Sequence, residues 1–185
     1  QWYATYTLHV SGKHTRFENL TLETKDPTYA NVVLLSGKAS SITFKNCTLR
    51  SDNKYTTGIN HSLVISDMDG LLMQDINFED NVFINGSYGI YLSGSNSKWD
   101  RTLNIRGNHF RDQRSAAIIA YYFSDIEVSN NEFRTGNQST YYGIGLNYGR
   151  DTMAISKNKI FIPDQGMGIR LYQCEAYRSE ERRVG

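Results

Sequence analysis

Proline and cysteine are nearly missing from this chain, at two residues each among 185. With so few, the composition is neither that of a disulfide-dense scaffold nor that of a disordered tract. No apolar run is long enough to cross a bilayer, and no signal-peptide pattern opens the chain, which begins Gln1-Trp2-Tyr3 without an initiator methionine. Nor is there an excess of charge. The formal net charge is +1, and the basic and acidic counts become equal once the last eight residues are set aside. Membrane insertion and non-specific nucleic-acid binding are therefore not expected. A glycine-rich phosphate loop, a Ser/His/Asp elbow, an HExxH pair and a Cys/His metal spacing are all absent, so neither metal nor cofactor is expected.

What the chain does contain is a repeat. Six segments align without gaps: FENLTL from Phe17, FKNCTL from Phe44, FEDNVF from Phe78, IRGNHF from Ile105, VSNNEF from Val128 and ISKNKI from Ile155. Their starts are 27, 34, 27, 23 and 27 residues apart. Five carry another apolar residue two positions earlier (Ile42, Ile76, Leu103, Ile126, Met153), and period two predicts strand. A second strand-like segment recurs between them as NVVLL, SLVIS, YGIYL, AAIIA, YGIGL and MGIRL. At least two short strands per repeat, separated by Gly, Asn, Ser or Asp, describe a solenoid.

Two solenoids compete. LNIRGNHF and IEVSNNEF also fit the core of a leucine-rich repeat, where Asn or Cys fills the same slot. That repeat needs an apolar residue three positions before the run, however, and Asp100 and Arg150 stand there. Its return arm is helical or loose, whereas YGIYL and YGIGL read as strands. The expected fold is thus an all-β, right-handed parallel β-helix of six to seven coils, with a leucine-rich-repeat-like solenoid as the alternative. The pairs YGIYL with LNIRGNHF and YGIGL with MAISKNKIF resemble the parallel β-helix repeats of secreted and surface bacterial proteins, the pectate-lyase-like solenoids. The resemblance covers roughly Leu8 to Cys174 and implies a secreted or cell-surface location. It speaks to architecture and says little of activity, because this fold hosts lyases, hydrolases, esterases and non-catalytic adhesins.

Coils stacked about 4.8 Å apart turn equivalent residues into rows along the axis. Asn81, Asn108, Asn131 and Asn158 share one slot and are expected to form a structural amide ladder. Asn suits a left-handed bend there, and Cys47 and Leu20 take its place in the two earlier coils. Ile90, Ile118, Ile144 and Ile169 should form an inward row, with Leu92, Ala120, Leu146 and Leu171 beside it. Cys47 and Cys174, about five coils and on the order of 24 Å apart, are too distant to pair. Cys47 reads as a small buried apolar residue.

Outward positions on the YGIYL-type strand run Tyr91, Ile119, Gly145, Arg170 and, two further on, Ser93, Tyr121, Asn147, Tyr172. A face carrying Tyr91, Tyr121 and Tyr172 offers aromatic surface for sugar rings. Past the ladder, Arg50, Ile84, Arg111, Arg134 and Phe161 form another outward row. Arg111 and Arg134 would be neighbours there, with His109 and Lys159 close by, and could take a uronate or sulfate unless Glu132 neutralises them. Asp67, Asp69, Asp75, Asp125 and Asp151 sit in turn-like sequence, where Asp is ordinary, and SDMDG reads as a plain turn more readily than as a calcium loop. The segment from Phe17 to Ser51 resembles the early coils of pectin esterases but lacks their aspartate-centred and Gly-Arg-Pro-Trp-like motifs, so that activity is not carried over. Variable loops at 24–30, 51–58, 134–140 and 163–166 gather on one corner, the arrangement of a binding side or equally of a tolerated insertion site.

The expected function is polysaccharide binding on an outward sheet face, by a β-helix segment of a larger secreted or surface protein. The alternative is a catalytic β-helix, a polysaccharide lyase or glycoside hydrolase, with an incomplete active site. Residues 1–177 read as one β-helix domain open at both ends, with the rest of the parent chain as its neighbour. Residues 178–185, RSEERRVG, break the pattern. Back-translated, they match a common sequencing adapter, which predicts a non-native tail.

Overall fold

The computed structural model describes residues 5–25, 30–36, 38–67, 73–97, 100–135, 141–162 and 165–175. Asp69 and the tail at 178–185 lie outside them, as do parts of the loops at 24–30, 134–140 and 163–166. The strands belong to three parallel sheets that the chain visits in rotation. The first sheet stacks Thr5–Val10, Ala30–Leu35, Val64–Ser66, Tyr88–Ser93, Ala116–Tyr121, Tyr142–Asn147 and Met167–Tyr172. The second stacks Lys13–Glu18, Ser40–Lys45, Gln74–Glu79, Asp100–Arg106, Phe123–Ser129 and Arg150–Ser156. The third stacks the short strands Thr21–Thr24, Thr48–Ser51, Val82–Ile84, His109–Arg111, Glu132–Arg134 and Lys159–Phe161.

This is a right-handed parallel β-helix. Its return arm is a strand in every coil, which removes the leucine-rich-repeat alternative. A six-stranded sheet has five strand-to-strand steps, so the superhelix makes about five turns, slightly fewer than the six to seven coils expected. Each repeat holds three strands where two were legible, because the FKNCTL-type segment bends once and supplies strands to both the second and third sheets.

Inward rows fill the solenoid. Phe17, Phe44 and Phe78 share a register row, with ring centroids 4.8 and 5.6 Å apart and nearly parallel planes. On the third sheet, Phe83, Phe110 and Phe133 stack at 4.5 and 5.0 Å. Ile90, Ile118 and Ile144 are fully buried, as are Leu92 and Leu146. Ile169 and Leu171, expected in the same rows, are 48% and 53% exposed: their strand is the last of the first sheet, so no further strand covers its far side.

The asparagine ladder occupies the corner between the second and third sheets. The backbone N–H of Asn81 donates to Asn108 Oδ1 at 2.8 Å, that of Asn108 to Asn131 Oδ1 at 2.8 Å, and that of Asn131 to Asn158 Oδ1 at 2.9 Å. Each Nδ2 also reaches back to a carbonyl one coil earlier: Asn81 to Phe44, Asn108 to Phe78, Asn131 to Ile105 and Asn158 to Val128. The left-handed bend expected at the ladder residue falls one position earlier, on Asn46, Asp80, Gly107, Asn130 and Lys157, all with φ between 50° and 69°. The ladder amides themselves are thereby free to point along the axis.

Cys47 is more than apolar filler. Its Sγ donates to Phe17 O at 3.5 Å and Lys45 O at 3.3 Å, the same corner carbonyls an Asn would take, while its own N–H donates to Asn81 Oδ1. Replacing Asn108 with alanine leaves the Asn81 N–H and Nδ2 without their shared Oδ1 acceptor and removes the side-chain donor to the Phe78 carbonyl, while the Arg106 carbonyl keeps the Asp80 N–H. A loss of about 2–3 kcal/mol is expected, readable by urea denaturation.

Candidate functional site: a tyrosine groove on the first sheet

The outward rows follow the expected register. Tyr91, Ile119, Gly145 and Arg170 pair in sequence across four strands, as do Ser93, Tyr121, Asn147 and Tyr172. A third row of Tyr88, Ala116, Tyr142 and Met167 runs beside them. Between these rows lies an open groove of about 450 Å³, lined by tyrosines 88, 91, 121 and 142 with Ser115, Ile119, Thr57 and Arg170. Strand alternation turns Tyr91 outward, and pairing with Ile119 on the next coil fixes its position.

The tyrosines form a connected aromatic wall. Tyr88 and Tyr91 meet edge-on with centroids 5.1 Å apart, and Tyr91 lies 5.9 Å from Tyr121. All four groove tyrosines are half-buried, so a ring face remains for a ligand. Partial burial raises the Tyr91 phenol to about 12, with further upward contributions from Tyr121, and burial raises Tyr88 as well. Gly145 makes room for the Ile119 side chain, which forms the floor. A Cβ there would sit 2.5 Å from Ile119 Cδ1, so the isoleucine occupies space that any side chain would contest.

Tyr172 leaves the expected face. It stands at the corner between the first and second sheets, edge-on to Tyr148 at 5.7 Å. Tyr148 in turn stacks on Tyr122 at 4.8 Å and 8°. Both stacked residues have positive φ (60° and 55°), a conformation that turns their rings out of the sheet. Arg170 joins the two aromatic groups, its guanidinium carbon 5.6 Å from the Tyr142 ring centroid and 5.1 Å from that of Tyr172. Asn147, expected outward, is buried between Tyr121 and Tyr172.

The arginine row of the third sheet is adjacent as expected, with Arg111 paired to Arg134 and His109 to Glu132. Arg134 is already occupied: its Nε lies 2.5 Å from Glu132 Oε1, and its guanidinium covers Phe161 at 4.2 Å. That contact, together with His109 and Lys159 on either side, holds the Glu132 carboxyl below the usual carboxylate range. Glu132 thus pairs with Arg134 and not with Arg111. Asp75, Asp125 and Asp151, expected in turns, lie near the starts of second-sheet strands with positive φ, and no carboxylate lines the groove among the described residues.

Tyr88, Tyr142, Ser115 and Thr57 were not singled out from the sequence. The first two carry a visible signal, since both begin a Tyr-Gly-Ile triplet. Thr57 belongs to the loop after Ser51, which a short 3₁₀ turn at Ile59–His61 folds back toward the sheet, and the Ser115 hydroxyl donates to the Thr57 carbonyl at 3.3 Å. Spacing gives no hint of that return.

These features define a class: a parallel β-solenoid with a continuous aromatic groove along one outer sheet. A family model described as periplasmic copper-binding protein (NosD) matches residues 38–181, and the chain belongs to this family. That description is consistent with an extracytoplasmic location. No curated protein and no solved structure matches the chain.

The described residues do not fit a copper centre. Among the described residues no three of His, Cys, Asp or Glu come together. Two soft donors, Met153 Sδ and Cys174 Sγ, both lie against Gly149. Cys174 Sγ, however, accepts from the Gly149 N–H at 3.4 Å and donates to the Leu146 carbonyl at 3.4 Å, a structural role at the corner. Cys47 is buried with its thiol directed at carbonyls, and His61 Nδ1 is engaged with Asn53 Nδ2 at 3.1 Å. Among the described residues no helix is long and apolar enough to cross a membrane.

Proposed function

We propose that this chain is an extracytoplasmic β-helix that binds polysaccharide along the tyrosine groove of its first sheet. The supporting observation is the wall of four half-buried tyrosines around a floor formed by Ile119. Aromatic faces bury the apolar faces of pyranose rings, while phenol and serine hydroxyls at the rim serve the sugar hydroxyls. The groove crosses four coils, about 14 Å, the reach of a short oligosaccharide lying along the axis. Hydrolysis of a glycosidic bond uses two facing carboxyls, and the groove offers none among the described residues, which favours binding over hydrolysis. The same location is compatible with release beyond the periplasm or display on a cell surface.

Affinity electrophoresis of the purified chain against soluble pectic, alginate and neutral glycans tests this. Tyr91→Ala is expected to weaken binding about tenfold, the equivalent of one aromatic stacking contact. Arg134→Ala, on the third sheet and paired with Glu132, should change nothing. Retention of no glycan, or equal loss in both variants, would rule the groove out. Release of unsaturated or reducing ends would replace binding with catalysis.

A further inference from the structure

The left-handed positions of this solenoid carry short or flexible polar side chains, with two exceptions. Among the described residues, positive φ falls on Asn, Asp, Ser, Thr, His, Lys, Gln and Gly, and otherwise only on Tyr122 and Tyr148. A bulky phenol ring is disfavoured in that conformation, so its presence in two successive coils points to a use for the rings themselves. Both stand at the corner between the first and second sheets, one coil apart. The Tyr122 N–H donates to the Asn147 carbonyl at 3.1 Å and the Tyr148 N–H to the Tyr172 carbonyl at 2.9 Å, which holds the two backbones in register. Their rings lie face to face at 4.8 Å and 8°, half-buried, with Tyr122 and Tyr148 both lining an open hollow at the corner. The other neighbouring tyrosine pairs among the described residues are edge-on or tilted: Tyr88 and Tyr91 at 66°, Tyr91 and Tyr121 at 52°, Tyr121 and Tyr122 at 38°, Tyr148 and Tyr172 at 85°.

We propose that Tyr122 and Tyr148 form an oxidative modification site: under a haem peroxidase and peroxide they couple to a dityrosine that staples adjacent coils. Each phenol gives up one electron and one proton. The two phenoxyls join through a carbon–carbon bond between positions ortho to their oxygens, and each of those ring carbons then returns its hydrogen, as a proton, to the phenol oxygen. One peroxide receives both electrons and both protons and leaves as two waters. Equivalent register and near-parallel planes set like carbons against like, an approach that the edge-on and tilted pairs do not offer. The neighbouring tyrosines supply a path to the pair. Steps of 5.1, 5.9 and 6.5 Å connect Tyr88, Tyr91 and Tyr121 to Tyr122. A phenoxyl formed on the sheet face is passed along them, electron and proton moving together, until coupling consumes it. Both cysteines are free, so the phenols provide a covalent tie between coils that the thiols do not.

The test treats the full chain with a haem peroxidase and limiting hydrogen peroxide, and reads dityrosine fluorescence, intact mass and peptide maps. The wild type is expected to stay a single-chain species, lose two hydrogens and yield one main cross-linked peptide pair, holding Tyr122 and Tyr148. Closing that loop should raise the thermal midpoint. Tyr122→Phe and Tyr148→Phe keep the stack but remove a phenol, so each should melt like the wild type before oxidation and fail to form the cross-link. Tyr55→Phe, which removes a phenol that is 87% exposed, should leave the cross-link in place. A main product between chains, at another tyrosine pair or at Cys174 would overturn the inference, as would a yield untouched by Tyr148→Phe. So would the absence of any cross-link in a chain that stays folded. None of these outcomes bears on glycan binding by the groove.

Discussion

Replacing Phe110 with alanine is expected to destabilise the protein by about 3–5 kcal/mol. Its ring is fully buried and lies between two others, 4.5 Å from Phe83 at an interplanar angle of 4° and 5.0 Å from Phe133 at 10°. Truncation removes both stacks and leaves a cavity that cannot collapse, because the flanking backbones are held one coil apart by ladder hydrogen bonds. In a solenoid each coil touches only its neighbours, so a weak coil also uncouples the parts on either side. Guanidinium denaturation should show a lower midpoint together with a smaller m-value, the sign of two halves unfolding separately. Phe110→Leu, which refills most of the space, should lose no more than about 1–2 kcal/mol and keep a single transition. A Phe110→Ala chain that melts with the wild-type midpoint would show that the stack contributes nothing.

Gly89→Val is expected to be nearly as damaging, by about 3 kcal/mol or more. A Cβ at this position would stand 2.7 Å from the Ala117 carbonyl and 2.8 Å from Phe110 Cδ1. The first obstacle is backbone in the neighbouring coil and the second is a ring clamped in its stack, so neither can move aside cheaply. Gly145 provides the contrast within the same kind of strand. Its Cβ would meet only the tip of Ile119, a flexible side chain on the solvent face. Gly145→Ala should therefore cost less than about 1 kcal/mol. For a chain of this size the two substitutions should differ by roughly 4–12 °C in melting temperature, measured by circular dichroism. Equal melting of the two would show that the glycine at 89 is a matter of composition and not of packing.

Much of this architecture is visible in the residues. Period-two alternation in YGIYL, AAIIA and YGIGL places Ile90, Ile118 and Ile144 in one row and Tyr91, Ile119 and Gly145 in another, because strand register propagates side-chain facing without error. The third sheet is hidden because strands such as His109–Arg111 have only three residues, too few for alternation to show. The ladder slot was legible, but the left-handed residue just before it was not: Asn46, Asp80 and Lys157 share a backbone angle rather than a side-chain type. A second polar stack at the corner after the third sheet escaped for a similar reason. There Gln113 Nε2 donates to the carbonyls of Phe83, Asn85 and Arg111, and no equivalent glutamine repeats in the other coils to announce it. Within the groove, the row positions of Tyr91, Tyr121 and Arg170 could be read from spacing. The departure of Tyr172 toward Tyr148, and the lining by Thr57, depend on side-chain torsions and loop paths that spacing does not encode.

The asparagine ladder has a direction, and that direction sets where the sequence can vary. Every backbone N–H in it is served by the side chain of the following coil and never of the preceding one. A coil that gives up its asparagine therefore remains satisfied itself and orphans only the coil before it. Cys47 can stand in the slot because the residue it fails to serve, Leu20, is 40% exposed and has water within reach. The same exchange at Asn108 or Asn131 would strand an amide in the dry interior. The ladder works as a one-way zip, tolerant of a missing tooth only at its N-terminal end, so a coil grafted before Cys47 must bring its own solvent-facing corner, whereas one joined after Asn158 needs only another asparagine.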